Sequence, residues 1–133
     1  MIAIANRQRR LRIPRASLGR LVAAILQGER RRFEVSFAFV NGVEMRKINR
    51  QFLDHDFDTD VLSFPLASHA GEVVISTDFA ASEASKRRIP VVEEVLRYAA
   101  HGLLHLLGYD DHAPSEKRKM WTAQERYLRD TLT

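Results

Sequence analysis

Apolar residues alternate with polar or small ones from Phe33 to Val40, and this period of two is typical of a β-strand with one buried face. Shorter runs of the same character predict further strands over residues 2–5, 61–66 and 72–76. Successive side chains of a strand point to opposite sides, so each of these strands can place one face against a core. The pattern therefore predicts a sheet of about four strands.

Apolar positions three and four residues apart predict helices in the rest of the chain. Asn41 is expected to cap the second of them and Ser115 the last, because both side chains can accept a hydrogen bond from a free backbone N–H. In the second helix Val43, Ile48 and Phe52 are expected to face inward. The predicted helices cover residues 17–27, 41–53, 78–87, 90–107 and the segment from 115 onward.

Strands come mostly first and helices later, which favours an α+β fold. The length of 133 residues and the 45% apolar content suit a single domain over residues 1–133, with a mixed sheet of about four strands packed with about five helices. No apolar stretch is long enough to cross a bilayer, and the N-terminus lacks the pattern of a signal peptide. We therefore expect no membrane partner and a cytoplasmic location.

The composition restricts the chemistry that the chain can perform. Cysteine is absent, so a metal ion can be held only by His, Asp or Glu. The net charge of +4 is unevenly distributed, because residues 1–32 carry nine arginines against one acid, Glu29. Clustered guanidinium groups attract phosphates, although a solvated basic face has the same pattern. Contact with nucleic acid is a hypothesis that charge alone leaves open.

Three of the five histidines fall within residues 101–112, which read HGLLHLLGYDDH. His101 and His105 are four positions apart in a predicted helix, so their imidazoles project from one face and can share a metal ion. The alternative is that they are polar members of an amphipathic helix whose leucines form the core stripe. Gly102 stands where the zinc peptidase motif HExxH has its glutamate, so a peptidase mechanism lacks its base.

Gly108 is expected to end this helix, since glycine readily adopts the backbone conformation with which a chain turns back. The turn can bring Asp110, Asp111 and His112 towards the two histidines and supply a third ligand. Three protein ligands and one open position are the arrangement of a catalytic zinc site. Zinc is the default metal for such mixed nitrogen and oxygen donors, and nickel or iron(II) is not excluded.

This helix and the turn after it resemble the signature HGxLHLxGYDH of the YbeY family, the bacterial metal-dependent endoribonucleases of ribosomal RNA maturation. Residues 49–65, NRQFLDHDFDTDVLSFP, resemble the family's segment N-x-x-[FY]-R-x-x-D-x-P-T-[DN]-V-L-S-F. Residues 71–76, GEVVIS, resemble its following strand G-D-I-x-I-S, and Met120 and Glu125 match its closing helix. The resemblance extends over residues 35–130.

The resemblance implies a zinc-dependent endoribonuclease that acts on single-stranded RNA in ribosomal RNA maturation and ribosome quality control. Its partners would be small-subunit ribosomal RNA and ribosomal proteins. The family has a third histidine ligand where this chain has Asp111, so Asp111 is the simplest third ligand. His112 is the alternative, because a one-residue bulge after Gly108 could present its imidazole instead. Asp110 could orient a ligand histidine or accept a proton, which makes it a candidate catalytic residue.

Two departures from the family pattern affect the expected activity. The family has an arginine that contacts the scissile phosphate at the position of Leu53, and a proline at the position of Asp58. Arg50 or Arg46, on the preceding helix, could bind RNA in its place, and Arg50 is also a candidate catalytic residue. The departures favour, as alternatives, a non-catalytic zinc-stabilised RNA-binding or ribosome-binding assembly factor, or a metal-dependent hydrolase of another substrate.

Overall fold

A computed structural model describes residues 2–53 and 59–133 of the chain. The described residues form an α+β domain with a four-stranded mixed sheet and five helices, which confirms the predicted fold class. Along the chain the elements are β1 (Ile2–Arg7), α1 (Arg15–Gly28), β2 (Glu34–Val40), α2 (Gly42–Leu53), β3 (Val61–Ala67), β4 (Ala70–Ser76), α3 (Thr77–Arg87), α4 (Val91–Leu106) and α5 (Pro114–Leu132). In this described part, no helix combines the length and the apolar character needed to span a membrane.

The sheet has the strand order β1-β2-β4-β3. Strand β2 pairs in parallel with β1 and with β4, whereas β3 is an edge strand that pairs antiparallel to β4. Helices α1, α4 and α5 pack together over one face of the sheet. This face contains the main core, whose largest fully buried side chains include Leu18, Leu21, Ile25, Phe37, Leu103 and Leu104.

The opposite face of the sheet is also partly covered, which the sequence pattern does not predict. Ala38 and Val40 of β2 are buried there with Val74 of β4 and Met45 of α2. Helix α2 therefore covers the sheet on the side away from the main core. Because β2 lies between β1 and β4 and is covered on both faces near its end, its last residues are apolar or small without alternation.

The predicted inward face of α2 is wrong at two of its three positions. Val43 is 67% exposed and Phe52 is 62% exposed, while Ile48 is half-buried and packs against the second cluster. The helix contacts the sheet through Met45, and at about 100° per residue Val43 lies on the far side from it. The ring of Phe52 only meets the edge strand, with its centroid 5.7 Å from that of Phe64.

The predicted caps give one confirmation and one correction. The side chain of Asn41 accepts a hydrogen bond from the backbone N–H of Glu44 at 2.8 Å, as expected for a cap of α2. Ser115 does not cap the last helix, which begins one residue earlier at Pro114 after an extended Ala113. Proline suits this first position because its φ is already helical and it has no N–H to leave unpaired.

Candidate metal centre

Helix α4 carries the two histidines and lies very close to the sheet at Gly102. A Cβ atom added at this position would come 2.5 Å from Cγ1 of Val73 on β4. The hydroxyl of Ser63 on β3 donates a hydrogen bond to the Gly102 carbonyl at 3.0 Å. A side chain such as that of glutamate at this position would force the packing of α4 on the sheet to shift, which agrees with the glycine found in place of the glutamate of HExxH.

Next to this contact, His101 is fixed by a buried amide. Its Nδ1 lies 2.9 Å from Oε1 of Gln124, a residue of α5 that is only 2% exposed. The amide group of Gln124 donates from Nε2 to the carboxylate of Glu125 at 2.9 Å, so its oxygen must face His101. Neutral His101 then donates from Nδ1 and keeps the lone pair on Nε2, the arrangement found behind histidine ligands of metals.

Behind Gln124 lies a group of ionised side chains. Arg97, whose side chain is 8% exposed, hydrogen bonds to Glu94 at 2.6 Å, to Glu125 at 2.8 Å and to Glu93 at 3.0 Å. Burial alone would lower the pKa of Arg97, but the three carboxylates outweigh it and the pKa is raised. Burial raises the pKa of Glu125, but hydrogen bonds from Arg97 and Gln124 outweigh it and the pKa is lowered. Glu125 is therefore an ionised, fixed anchor for Gln124.

The chain reverses direction directly after α4. Gly108 has a φ of +111°, which confirms the predicted glycine turn, since this conformation is disfavoured for residues with a Cβ. The guanidinium group of Arg31, in the loop between α1 and β2, donates to the Leu107 carbonyl at 3.0 Å. This contact satisfies a carbonyl at the C-terminal end of the helix and places a positive charge near the negative end of its dipole.

A second contact from the same loop holds the residue after the turn. The carboxylate of Glu29 accepts a hydrogen bond from the Tyr109 hydroxyl at 3.0 Å and another from the Tyr127 hydroxyl at 2.6 Å. Burial and the neighbouring Glu29 carboxylate raise the pKa of Tyr109 to about 12. Tyr109 is thus a neutral donor at physiological pH, and its contact ties the turn to α5.

Residues 110–112 follow this fixed point and bring possible ligands together. Donor atoms of Asp110, Asp111 and His112 all lie within 4.8 Å of one another, the one such group found among the described residues. Oδ2 of Asp111 lies 4.0 Å from Nε2 of His101. His112 is 85% exposed, and its Nε2 lies 3.6 Å from Oδ1 of Asp110. Neither His101 nor His105 belongs to the 4.8 Å group, and His105 is exposed on the same side of α4 as His101.

These donors fit a small divalent cation. Two ligand atoms about 2.1 Å from a tetrahedral zinc ion are about 3.4 Å apart, so the 4.0 Å between His101 and Asp111 is close to the required separation. The available donors are imidazole nitrogen and carboxylate oxygen, which are common ligands of divalent transition metals. A group of His and Asp residues that could bind a metal is therefore present beyond the end of α4.

The predicted arginines both belong to helix α2. Arg46 and Arg50 are exposed on α2, one turn from each other, and both make contacts with other groups of the protein. Neither lines the cavity beside His101. Leu53, which stands in place of the family arginine, is the last residue of α2 and is 45% exposed. Asp58 lies outside the described residues.

The basic N-terminal region is partly used within the fold. Arg7 pairs with Glu44 at 3.0 Å, and Arg10 pairs with Asp78 at 2.8 Å. The other end of the region, residues 30–32, lines an open cleft of about 970 Å³ together with the turn between β3 and β4. Part of the arginine excess is therefore used in ion pairs at the surface of the fold, and part lines a surface cleft.

A cavity of about 590 Å³ opens beside His101 and Asp111. Trp121 and Gln124 of α5 line it, and the sequence patterns single out neither residue for function. The signals that could have pointed to them are their spacing of three positions on one helix and their position next to Met120 and Glu125, which match the family. Both signals are weak. The roles of Gln124 and Trp121 can be recognised only when it is known that α4 packs against α5 and places His101 beside them.

Together, the fold and the site define an α+β protein that carries a possible metal-binding group at the C-terminal end of a core helix. Residues 3–131 match the family model described as Endoribonuclease YbeY. The chain belongs to this family.

Individual relatives give the same result. The chain is 37% identical over 132 residues to Endoribonuclease YbeY of Chlorobium phaeovibrioides, a match that covers 96% of this chain and 88% of the relative. It is 36% identical over 131 residues to the protein of the same name from Chlorobium luteolum, with 96% and 95% covered. The solution structure of TM1509 from Thermotoga maritima is similar with a TM-score of 0.72 and 26% identity, covering 98% of this chain and 89% of that one.

Proposed function

We propose that this protein is a zinc-dependent endoribonuclease that cleaves single-stranded RNA during ribosomal RNA maturation and ribosome quality control. The observation that carries the proposal is the 4.0 Å approach of Asp111 to Nε2 of His101, whose other ring nitrogen is held by Gln124. Membership of a family described as Endoribonuclease YbeY supplies the substrate class. Small-subunit ribosomal RNA and ribosomal proteins are the proposed partners, with a cytoplasmic location.

His101, His105 and Asp111 are the proposed zinc ligands, with His112 as the alternative to Asp111. The approach of Asp111 to His101 favours Asp111, since His112 is directed to Asp110 and is largely exposed. His101 and His105 both lie outside the group of donor atoms within 4.8 Å, so we propose that bound zinc draws their imidazoles and Asp111 together. When bound, zinc lowers the pKa of water and polarises the phosphoryl oxygen. Nickel and iron(II) fit the same donors and are the competing metals.

The protein's own residues supply orientation and charge. Gln124 directs the Nε2 lone pair of His101 towards the group, and the turn at Gly108 presents Asp110 and Asp111. Asp110 accepts a hydrogen bond from the backbone N–H of His112 at 3.0 Å, and its remaining oxygen can orient a ligand or accept a proton. Arg46 and Arg50 are proposed to contact the RNA backbone from α2.

The proposal is tested with purified, zinc-loaded protein and an end-labelled single-stranded RNA taken from the small-subunit ribosomal RNA. We expect cleavage that is lost on chelation and restored by zinc. His105→Ala and Asp111→Ala should abolish cleavage and lower the amount of bound zinc. His69 is an exposed histidine of the β3–β4 turn, so His69→Ala is the control and should leave both cleavage and bound zinc unchanged. Loss of zinc in His112→Ala but not in Asp111→Ala would identify His112 as the third ligand.

A second function is favoured by Leu53, which is apolar where the family has its phosphate-contacting arginine. On this alternative the protein binds ribosomal RNA and assists assembly without cutting it. Zinc-loaded wild-type protein that binds the RNA tightly and leaves it intact would support this role. Introducing the missing charge as Leu53→Arg then provides a sharper comparison, because acquired cleavage in that variant would assign the lack of activity to this one position.

A further inference from the structure

The cavity beside the proposed metal ligands has one wall formed by α5. Lys117, Trp121 and Gln124 follow each other along this wall at spacings of four and three residues, so they share one face of the helix. His101 and Asp111 also line the cavity. Its volume of about 590 Å³ is within the range of about 300–1,000 Å³ that is usual for small-molecule sites. A single nucleotide unit can therefore be accommodated directly next to the proposed ligands.

Trp121 is the only tryptophan of the chain, and it is 52% exposed. Its indole lines the cavity together with Pro114. Proteins that bind single-stranded nucleic acid use exposed aromatic rings as surfaces on which bases stack. Since the bases of a duplex are already stacked on each other, such a ring selects unpaired RNA.

The charges around Trp121 favour a polyanion. Lys117 and Arg118 are exposed one turn before it and line the same cavity. Among residues 2–53 and 59–133, no carboxylate lies within 4.0 Å of either cation. Asp111 is the acidic side chain among the described lining residues, and a metal ion held there would offset its charge. The cations are therefore available to the phosphates of a bound strand.

We propose that this cavity is a nucleotide subsite in which an unpaired RNA base stacks on Trp121 while Lys117 and Arg118 contact the adjacent phosphates. The inference deepens the proposed function, on which it rests for RNA as the ligand. It assigns the selection of single-stranded substrate to α5, one helical turn from the residue that orients His101.

Trp121 also provides the measurement, because all tryptophan fluorescence of the protein comes from this position. A single-stranded RNA octamer is titrated into the wild type and into His105→Ala, and a perfectly paired RNA duplex serves as the comparison. We expect saturable quenching by the octamer in both proteins and little by the duplex. Absence of quenching by the octamer, or equal quenching by the duplex, overturns the subsite.

Binding of a dye-labelled octamer, followed by anisotropy, tests the individual residues. Trp121→Ala should weaken binding about 5- to 150-fold, which corresponds to about 1–3 kcal/mol, and Trp121→Phe should restore most of the loss. Replacing both Lys117 and Arg118 with alanine should weaken binding and reduce the salt slope by about 1.4. Lys119→Ala removes one positive charge from α5 outside this cavity and should weaken binding by much less than half of this effect.

The outcomes separate the subsite from the proposed activity. Normal metal-dependent cleavage with unchanged binding in Trp121→Ala overturns the subsite and leaves the nuclease intact. Quenching of the wild-type fluorescence together with a loss of affinity in Trp121→Ala supports the subsite. If zinc-loaded wild type then cleaves no RNA, the same result contradicts the nuclease. Circular dichroism of each variant shows whether the fold is retained, and Trp121→Phe serves as the test if Trp121→Ala does not fold.

Discussion

Nδ1 of His101 lies 2.9 Å from Oε1 of Gln124, and this contact connects a proposed metal ligand to the buried ions around Arg97. The orientation of the imidazole is therefore determined by residues on α5 as well as by its own helix. A histidine without such a partner can rotate or protonate on either nitrogen, and both possibilities reduce the fraction that is ready to bind a metal.

The first prediction concerns this contact. Gln124→Leu keeps a similar volume but removes the acceptor, so zinc affinity should fall about 10- to 100-fold. Gln124→Glu still presents an oxygen to His101, but it removes the donor to Glu125 and places two carboxylates next to each other, so it should recover only part of the loss. Zinc affinity is measured by competition with a chromophoric chelator, and the ring tautomer of His101 by long-range proton–nitrogen correlation in metal-free protein. Unchanged affinity together with an unchanged Nδ1–H tautomer in Gln124→Leu contradicts the positioning role.

The second prediction concerns the close contact between α4 and β4. Gly102→Ala places a methyl group 2.5 Å from a Val73 carbon and should destabilise the protein by about 1–3 kcal/mol in urea denaturation. Gly19→Ala is the matched control, because Gly19 lies within α1 and nothing would approach its Cβ within 4 Å. That change should stabilise the helix by about 0.5–1 kcal/mol. Equal effects of the two substitutions would mean that the contact at Gly102 relaxes freely.

Local sequence patterns were sufficient for the parts of the fold that depend on short-range periodicity. The alternation from Phe33 to Val40 predicted β2, and the glycine at 108 predicted the helix end and the turn. The buried face of β2 requires apolar residues at every second position, and the positive φ at position 108 favours glycine. These features are encoded within about ten residues and need no knowledge of distant partners.

Patterns failed where the answer depends on a distant element. The inward face of α2 could not be predicted, because the helix covers only a small area around Met45 and leaves Val43 and Phe52 exposed. Gln124 could not be recognised either, since its meaning comes from a ring 23 positions away in the chain. A buried polar residue is identified by the partner that satisfies it, and the sequence does not state that partner.

The third prediction separates two hydroxyl groups that share one acceptor. Tyr109 and Tyr127 both donate to Glu29, but only Tyr109 adjoins residues 110–112. Each change to phenylalanine should destabilise the fold by about 1 kcal/mol. Tyr109→Phe should in addition weaken zinc binding several-fold, because the turn then holds Asp111 less firmly, whereas Tyr127→Phe should leave zinc affinity unchanged. Chelator competition measures the zinc affinity of both variants, and urea denaturation measures their stability. If Tyr109→Phe binds zinc as tightly as Tyr127→Phe, the Tyr109 hydroxyl does not position the ligands.

The fourth prediction concerns pH and the carboxylate of Asp78. It accepts a hydrogen bond from the backbone N–H of Gly42 at 2.8 Å and another from Arg10 at 2.8 Å, and these contacts hold its pKa below the usual value. A group with a lowered pKa in the folded state contributes stability above its unfolded pKa of about 3.9 and loses this contribution as the pH falls through the folded value. Asp78→Asn should therefore lower stability at pH 7, by no more than about 1 kcal/mol because the side chain is 38% exposed.

The same reasoning fixes how the effect of Asp78→Asn depends on pH. The difference in unfolding free energy from wild type should shrink below pH of about 4 and vanish once Asp78 is protonated, since a neutral carboxyl and an amide are then nearly equivalent. Arg10→Gln should produce a smaller loss than Asp78→Asn, because the Gly42 N–H is the larger cause of the lowered pKa. Urea denaturation of the three proteins between pH 2.5 and 7 provides the comparison, an interval chosen to include the pKa of a free Asp of about 3.9. A difference that stays constant over this interval would show that Asp78 acts through the geometry of its hydrogen bonds and not through its charge.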